Sequence, residues 1–494
     1  MDKINGRRRA YAILALCAAT ALTVHAQTFT TLFTFDTRDG LTLDAGLVQG
    51  ISGTLYGTNV SGGANGYGTF FEITPAGALT TLHGFDGGSP SSGAVLQAAN
   101  GDFYGTGFGG RGTCSGGCGT VFKITPSGAL TTLYSFDLTD GADPNALIQA
   151  ANADFYGTTI GGGANTNARC PEGCGTVFKI APAGTLTTLY SFCSQSDCTD
   201  GLYPETGLVQ AANGDLYGTT GFGGIGTCAN GCGTIFKITP TGTLTTLYSF
   251  DRTDGGNPYA GLVQAANGDF YGTTLDGGAN NSGTVFEITA DGVLTTLYSF
   301  CAQIGCPDGA SPYAGLIQAT DGNLYGTTVS GGSNQGGTIF KVTPAGKLHT
   351  LYSFCHLGDS TCTDGASPYA GLVQATNGDF YGTTEYGGAD TSQTAVCWTS
   401  GAKGCGTVFR LSVGLGPFVK TLPTSGAVGA AVQILGSDLA GTTSVTFNGA
   451  AASFTVNPTG AAIATNVPVG ATSGTIQVVT PSGTLSSNLR FRVP

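Results

Sequence analysis

The chain has 494 residues, a formal net charge of −12 and only 10% charged residues, whereas charged residues make up about 25% of an average soluble domain. This sparse, acidic charge argues against nucleic acid or anionic lipid as a partner, because both are recognised by clustered lysine and arginine. The 84 glycines recur at fixed places in a repeated pattern, so they do not indicate disorder.

The first 26 residues have the pattern of a secretory signal peptide. Lys3 and Arg7–Arg9 form a basic start, Ala10–Val24 is an apolar core, and Ala26 ends a small-residue cleavage site. Cleavage would remove four basic groups and one acidic group, which leaves a charge of −15. No later stretch approaches the roughly 20 apolar residues of a transmembrane helix. We therefore expect a secreted or cell-surface protein, and we expect it to be a monomer.

Residues 28–411 contain one pattern that is repeated seven times. Its cleanest copy runs from Gly261 to Phe300 and holds four short apolar runs, which we call strands a, b, c and d. Asn267-Gly268 separates a from b, and this pair is a strong hairpin signal because both residues tolerate a positive φ. Four sister copies carry Pro-x-Gly between c and d, which also predicts a tight turn. The runs are rich in Val, Ile, Phe, Tyr and Thr, as strands are.

The spacing of the repeats predicts the architecture. A Tyr-Gly-Thr motif begins at seven tyrosines: Tyr56, Tyr104, Tyr156, Tyr217, Tyr271, Tyr325 and Tyr381. Four-stranded units at this period favour propeller blades over the shorter coils of a parallel β-helix. A strand d pattern occurs first at Thr30–Phe35, and the last copy, Gly371–Leu411, lacks one. We therefore expect an all-β, seven-bladed β-propeller in which the N-terminal strand completes the last blade and no sheet edge stays open.

The cysteines predict disulfides. Cys17 belongs to the signal peptide, and the other fourteen fall into seven neighbouring pairs. The pairs are Cys114/Cys118, Cys170/Cys174, Cys193/Cys198, Cys228/Cys232, Cys301/Cys306, Cys355/Cys362 and Cys397/Cys405. An even number of closely spaced cysteines in an exported chain indicates disulfides. Zinc is the alternative, but the histidines His83, His349 and His356 do not accompany the pairs, so we predict no metal site.

The loops between the strands differ in a way that predicts a binding face. The a–b and c–d turns are short and nearly invariant, and they emerge at one end, the plain face. The b–c and d–a loops emerge at the other end, the loop face, and they contain every insertion and every cysteine pair. Binding residues concentrate on loops that a rigid scaffold holds. We therefore expect a partner to bind the loop face.

Two features of the loop face are possible binding groups. Trp398 lies in the longest b–c insertion, Gly387–Lys403, and is a candidate binding residue, although packing beneath Cys397/Cys405 is an equal alternative. The d–a loops contain Asp-Gly in all seven copies. They lack the ligand density of a calcium loop, and Asp-Gly is a common turn pair, so we predict no bound cofactor.

The repeats end at Leu411. Residues 412–416 form a short linker, and residues 417–494 contain no cysteine. This segment has five strand-like runs: Val432–Leu435, Ser444–Phe447, Ser453–Val456, Ile476–Thr480 and Leu489–Val493. Strands at this spacing predict a small β-sandwich.

The repeated Gly-Leu-Val … Gly-x-x-Tyr-Gly-Thr-Thr pattern, seen at Gly261–Thr274, resembles the GloVer-type tandem repeat of exported bacterial proteins with a choice of C-terminal anchors. The resemblance covers residues 28–411 and implies location and architecture rather than chemistry. The tail is similar to an IPT/TIG domain, an immunoglobulin-like sandwich, through Pro423–Gly426, Val432–Gly436 and Val445–Gly449. This second resemblance implies a spacer or an adhesive module.

Two functions remain open from the sequence. The first is a non-enzymatic binding or scaffold protein that engages an extracellular polysaccharide or a surface protein through the loop face. The second is an extracellular propeller enzyme that acts on glycans. A catalytic residue needs a positioned acid, base or nucleophile and should break the sevenfold pattern. The polar residues that break it are Arg111, Arg169, Glu172, Glu205, Glu385 and His356. They do not spell a familiar reaction, so no catalytic residue is predicted.

Overall fold

A computed structural model describes residues 27–86, 91–109, 114, 117–211, 213–356, 362–388, 398–399 and 402–494, with the backbone alone at 91–93, 398–399 and 402–403. The predicted signal peptide therefore lies outside the described residues. These ranges form an all-β structure of antiparallel sheets, with a single 3-10 turn at Ser196–Cys198. None of their helical segments is long and apolar enough to cross a membrane.

The repeated pattern forms four-stranded antiparallel sheets in the order a, b, c, d. The a strands are Val48–Gln49, Ser91–Gln97, Ile148–Gln149, Val209–Gln210, Val263–Gln264, Ile317–Gln318 and Val373–Gln374. The b strands are Leu55–Thr58, Phe103–Phe108, Phe155–Gly161, Leu216–Thr220, Phe270–Thr274, Leu324–Thr328 and Phe380–Thr384. The c strands are Thr69–Ile73, Thr120–Ile124, Thr176–Ile180, Thr234–Ile238, Thr284–Ile288, Thr338–Val342 and Thr407–Ser412. The d strands are Leu79–Gly84, Leu130–Ser135, Leu186–Ser191, Leu244–Ser249, Leu294–Ser299 and Leu348–Ser353.

Two small additions depart from this scheme. Ala142–Pro144 pairs with the far end of strand b in the third sheet. In the long insertion of the last repeat, Trp398–Thr399 and Ala402–Lys403 form a separate two-stranded ribbon.

Close packing explains the glycine of the Tyr-Gly-Thr motif. A Cβ on Gly272 would lie 2.5 Å from the Phe286 ring and 2.9 Å from Leu262, both closer than side chains pack. Phe286 belongs to strand c of the same sheet and is fully buried. The preceding repeat contributes Tyr217, whose ring stacks on Phe270 at 4.1 Å. Neighbouring sheets therefore share one continuous apolar contact surface.

In the cleanest copy, strand a is shorter than its apolar run Gly261–Ala265, since only Val263 and Gln264 pair with strand b. The residues before it leave the sheet and are held by the preceding repeat. The Thr219 hydroxyl lies 3.0 and 3.2 Å from the carbonyl oxygens of Pro258 and Ala260. Equivalent bonds join Thr158 to Thr206, Thr273 to Ala314 and Thr327 to Ala370. In these four repeats the threonine thus positions the segment before strand a of the next repeat. We call this segment, which is residues 258–262 in the copy described here, the axial segment.

The last repeat is joined to the first in the same way. Thr28–Thr34 pairs with Thr407–Ser412 and supplies the fourth strand of the last sheet, the place predicted for it. The Thr383 hydroxyl donates to the Leu43 carbonyl at 3.4 Å. The Thr376 N–H donates to Gln49 Oε1 at 3.0 Å. The run of repeats therefore closes on itself.

A glutamine at the end of strand a links neighbouring repeats on the plain face. Gln318 Nε2 donates to the Gly322 carbonyl of its own a–b turn at 3.1 Å, while its Oε1 accepts from the Ala266 N–H of the preceding repeat at 2.8 Å. Gln97, Gln210, Gln374 and Gln49 accept from the preceding turn in the same manner.

The tail consists of two four-stranded sheets that enclose one apolar core. One sheet contains Lys420–Leu422, Ala431–Leu435, Ala462–Asn466 and Phe454–Val456, and the other contains Ala450–Ala451, Ser444–Phe447, Ile476–Thr480 and Gly483–Ser486. The predicted strand Leu489–Val493 is wrong. Phe491 and Arg492 form only isolated bridges, with Gly474 and Ser425 respectively. The segment pairs with two different parts of the chain, so it does not form a continuous ladder with either.

The tail packs on the plain face. The Phe418 N–H donates to the Thr376 carbonyl at 3.0 Å, and Lys420 Nζ donates to the Gln374 carbonyl at 3.0 Å, both in the last repeat. Asn457 Nδ2 donates to the Ile51 carbonyl of the first repeat at 3.2 Å.

A further tail contact reaches the opposite side of the closed run of repeats. Arg492 donates to Gln210 Oε1 of the fourth repeat at 3.3 Å. Because the first and last repeats adjoin and the fourth lies across from them, the tail spans the axis at this face. It is not held away from the repeats as a spacer would be.

Candidate functional site

The loop-face end of the axis contains a cavity of about 570 Å³. One position of the axial segment contributes a lining residue from six repeats: Asp44, Asn145, Glu205, Tyr259, Tyr313 and Tyr369. Ser91 is the equivalent residue of the second repeat, where the structure describes the backbone alone. The ends of strands b add Phe108, Ile160, Glu385 and Tyr386 to the lining. The cavity is therefore built where neighbouring repeats hold the axial segments in place.

Aromatic rings form an arc around one side of this cavity. Tyr313 is at the centre of the arc, with ring centroids 5.7 Å from Tyr259 and 5.2 Å from Tyr369. Phe222 continues it at 6.1 Å from Tyr259, and Tyr203 lies 6.1 Å beyond Phe222. These separations are typical of interacting aromatic pairs. Tyr259, Tyr313 and Tyr369 are half-buried, so each still presents part of its surface to the cavity.

A glycine makes room for one end of the arc. A Cβ at Gly221 would lie 2.6 Å from the Tyr259 ring and 3.5 Å from Glu205 Oε1. The corresponding residues at the end of strand b in two other repeats are Ile160 and Glu385. Gly221 thus allows the Tyr259 ring to lie beside the Glu205 carboxyl group.

Three carboxyl groups line the same cavity. Burial raises the pKa of Glu205 to about 7. Burial also raises the pKa of Glu385, although a 2.6 Å hydrogen bond from the Tyr386 hydroxyl opposes this, and the charge of Asp44 raises it further. The Asp44 side chain is exposed, yet desolvation by the surrounding protein still raises its pKa.

The carboxyl groups also act on the tyrosines. Desolvation, together with the negative charges of Glu205 and Asp44, raises the pKa of Tyr313 to about 12. The phenol groups therefore remain neutral at physiological pH and serve as hydrogen-bond donors. The lining residues include no lysine, arginine or histidine, so the described wall of the cavity is acidic and aromatic.

The loops around the cavity carry disulfides. Six bonds join Cys114–Cys118, Cys170–Cys174, Cys193–Cys198, Cys228–Cys232, Cys301–Cys306 and Cys355–Cys362. These are six of the seven predicted pairs. Cys405 is also disulfide-bonded, and its predicted partner Cys397 lies outside the described residues. Cys170, Cys174 and Cys193 lie within 4.8 Å of one another, but all three are engaged in disulfides.

The Asp-Gly aspartates have structural partners. The Asp200 carboxylate accepts from the Tyr190 hydroxyl at 2.7 Å and from the Ser194 N–H at 2.9 Å. The Asp254 carboxylate accepts from the Tyr248 hydroxyl and from the Asp251 N–H. These carboxylates hold the d–a loops against strand d, which agrees with their interpretation as turn residues.

The residues singled out by sequence differ in where they lie. Glu205 and Glu385 line the cavity. The Arg169 carbonyl accepts from the Tyr203 hydroxyl, the Glu172 side chain is exposed, and the His356 N–H donates to the Asp364 carboxylate. Arg111 lies outside the described residues.

Trp398 stays a predicted binding residue. Its backbone pairs with Lys403 in the ribbon of the long insertion, and its side chain is outside the description. The tyrosines of the axial segment were missed by sequence reasoning. The signal that could have found them is their variation at one otherwise regular repeat position.

The protein is thus an all-β tandem-repeat protein with a cavity at its axis. Residues 18–229, 225–396 and 308–465 match the model of the Gloeobacter/Verrucomicrobia repeat, so the chain belongs to this repeat family. A comparison with characterised protein sequences finds no match.

Among solved structures, an alcohol oxidase shares the fold and others match more distantly. A fungal alcohol oxidase of the AA5 family, in complex with copper, superposes with a TM-score of 0.51 at 13% identity, over 94% of this chain and 98% of that chain. A luciferin-regenerating enzyme gives a TM-score of 0.41 at 10% identity, over 80% and 98% of the two chains. Regucalcin, a calcium-binding protein from Agrobacterium tumefaciens, gives 0.36 at 14% identity, over 78% and 93%.

Proposed function

We propose that the repeats form a seven-bladed β-propeller and that the tail is an immunoglobulin-like domain of the IPT/TIG type. The a–b–c–d sheets, their closure through Thr28–Thr34 and the alcohol oxidase likeness support the first part. Two packed four-stranded sheets support the second. The many disulfides support export to an oxidising environment, in line with the predicted signal peptide.

We infer that the protein is a binding protein which holds part of an extracellular polysaccharide in the axial cavity. The observation that carries this proposal is the axial position itself. A structural residue would be the same in each repeat, whereas Asp44, Asn145, Glu205 and the three tyrosines differ and converge on one cavity. A largely pre-formed concave site with aromatic walls and a few polar groups is the usual form of a ligand pocket.

The shape and chemistry of the cavity favour a sugar over a folded protein partner. About 570 Å³ accommodates one or two sugar rings but no large interface, which needs about 800 Å² from each partner. The faces of Tyr259, Tyr313 and Tyr369 offer stacking surfaces, and the carboxyl groups accept hydrogen bonds from hydroxyl groups. A surface protein is the alternative partner, and its capture in a pull-down without any glycan-array signal would favour it.

A binding assay with matched tyrosine variants tests the proposal. Tyr313→Ala removes the central ring of the arc, so glycan-array signals should fall at least tenfold. Tyr67 is 51% exposed and is not a lining residue, so Tyr67→Ala is the matched control and should bind like the parent. Equal loss in both variants, or retained binding in Tyr313→Ala, would place the site elsewhere; Trp398→Ala tests that alternative directly.

An enzyme that acts on glycans is the second candidate, because three carboxyl groups converge on the cavity. Glycoside hydrolysis uses a protonated and an ionised carboxyl group, and burial keeps the pKa of Glu205 near 7 while Asp44 lies across the same cavity. Release of reducing ends from a bound glycan, abolished by Glu205→Gln, would assign the protein to this class. Binding without turnover supports the first candidate.

A further inference from the structure

The charge of the cavity is unbalanced in the absence of a ligand. Asp44, Glu205 and Glu385 line it, and none of its described lining residues is basic. Desolvation is the leading cause of the raised pKa of each carboxyl group. Glu205 and Glu385 are half-buried and Asp44 is exposed, and a carboxylate that is partly removed from water is stabilised by a nearby positive group. A bound cation would supply the missing charge.

The geometry argues against a bare metal ion as that cation. The carboxyl oxygens of Asp44, Glu205 and Glu385 do not all lie within 4.8 Å of one another, since the sole group that meets this distance among the described residues consists of cysteines. Calcium needs six to eight oxygen ligands at 2.3–2.6 Å, as an order-of-magnitude guide. Aromatic ring faces, which form much of this wall, offer no such ligand.

The aromatic arc fits an organic cation. An ammonium group is attracted to the face of a tyrosine within about 6 Å of the ring centroid, with roughly 0.5–2 kcal/mol of stabilisation. The Tyr259 ring and the Glu205 carboxyl group both lie beside Gly221. The ring and the carboxylate are therefore close enough together to contact the same ammonium group.

We propose that the axial cavity binds a sugar unit that bears a free ammonium group, with Glu205 and Tyr259 as its contacts and Tyr313 as the stacking surface for the sugar ring. This inference rests on the proposed function and specifies its ligand class. Asp44 and Glu385 maintain the negative potential of the cavity on the side of the last repeat.

Titration calorimetry at neutral pH tests the inference with three trisaccharides of similar size: glucosamine with free amines, its N-acetylated form, and a glucose trisaccharide. The free-amine sugar should bind at least tenfold more tightly than the other two, and added salt should reduce this preference because it screens charge. Glu205→Gln keeps the size of the side chain and removes the charge, so it should reduce the preference at least fivefold. Asp291→Asn removes an exposed charge on the plain face and is the matched control.

The outcomes separate the two proposals. Equal binding of all three sugars, lost in Tyr313→Ala, would overturn the ammonium inference and leave the glycan-binding function intact. Preference for the amine that persists in Glu205→Gln would also overturn the inference. Binding of a lysine-rich peptide but of no sugar would overturn the sugar assignment, and binding of none of these probes would contradict both proposals.

Discussion

A single residue position in each repeat separates scaffold from site. The backbone beside this position is held by a buried threonine of the preceding repeat. The Thr219 hydroxyl, for example, bonds to the carbonyl oxygens of Pro258 and Ala260. The residue between them, Tyr259, is thereby fixed in the backbone and free in its side chain. These contacts go to backbone carbonyl oxygens of the neighbouring residues, so they do not require a particular side chain at this position, which is tyrosine in one repeat and glutamate or aspartate in another.

Glu205→Gln should raise stability at alkaline pH. The folded-state pKa of Glu205 is about 7, above its ordinary value of 4.5, so ionisation of this group is less favourable in the folded state. Its destabilising effect is fully present above pH 7 and disappears as the pH falls towards 4.5. At about 1.36 kcal/mol per pKa unit, discounted for access of water to the cavity, the variant should gain roughly 1–2 kcal/mol at pH 8.

Thermal melts at pH 8 and pH 4.5 check this sign. The melting temperature of Glu205→Gln should exceed that of the parent at pH 8, and the two should converge at pH 4.5. The matched control is Asp291→Asn, on the exposed plain-face turn. A lower melting temperature for Glu205→Gln at pH 8 would show that the carboxylate is stabilised by a partner in the folded protein.

The d–a loops are of two kinds, one closed by hydrogen bonds to an aspartate and the other closed by a disulfide. In one kind, the Asp251 carboxylate accepts from the N–H and the hydroxyl of Thr253. In the other, a cysteine replaces this aspartate and a disulfide such as Cys301–Cys306 closes the loop. In both kinds the second aspartate accepts from a tyrosine of strand d, as Asp308 does from Tyr298 at 2.8 Å. The disulfide therefore adds to an anchor that is already present.

Replacement of Cys301 and Cys306 by serine should loosen one loop and leave the sheets intact. A closed loop of this size contributes roughly 2 kcal/mol in the chain-entropy model, and Asp308 still accepts from Tyr298. Amide exchange should accelerate in the loop while the far-ultraviolet circular dichroism spectrum stays unchanged. Adding Tyr298→Phe removes the second anchor and should cost more in this background than alone. Global unfolding of the double serine variant would contradict this assignment of roles.

Sequence reasoning reached the repeated strands because their signals are local. Asn267-Gly268 sets the a–b turn, and the apolar runs on either side are short and regular. Ala462–Asn466 was missed, because its alanines carry little strand preference and its place is set by its neighbours Ala431–Leu435 and Phe454–Val456. The shortening of strand a depends on bonds from another repeat, so no local pattern reports it.

The candidate site was predicted at the level of the face but not of the residues. Loop length and cysteine pairs indicated the loop face, and Glu205 and Glu385 stood out by breaking the pattern. Tyr259, Tyr313 and Tyr369 did not, because tyrosine is frequent throughout the repeats. Their convergence depends on closure of the whole run of repeats, which brings together residues more than 50 positions apart.

At the scale of the molecule, the two faces have different partners. The tail bonds to the first, fourth and last repeats on the plain face through Asn457, Arg492 and Phe418. These contacts cover the axis at that end, while the cavity opens at the loop face. A ligand therefore reaches the cavity from the loop face, where the disulfide-bonded loops surround it.

Closure of the ring gives the last prediction. Removing residues 28–35 would expose the edge of Thr407–Ser412, to which Thr28–Thr34 pairs. It would also remove Phe29, whose ring stacks on Tyr352 at 3.8 Å, and the fully buried Phe35. Leu32 and Phe33 also pack against buried core residues. At roughly 1.5–3 kcal/mol for each buried large apolar side chain, the loss is on the order of 5 kcal/mol, and an open edge promotes aggregation.

The test compares a chain that begins at residue 27 with one that begins at residue 36. The shorter chain should melt at a clearly lower temperature and form soluble aggregates on gel filtration. A synthetic peptide with the sequence of residues 28–35 should restore the melting temperature in a concentration-dependent manner, because it supplies the missing strand from outside. A peptide of the same composition in scrambled order is the control, since it cannot match the register Thr28↔Ser412 to Thr34↔Thr407. If the shorter chain melts like the longer one and ignores the peptide, the N-terminal strand does not hold the ring closed.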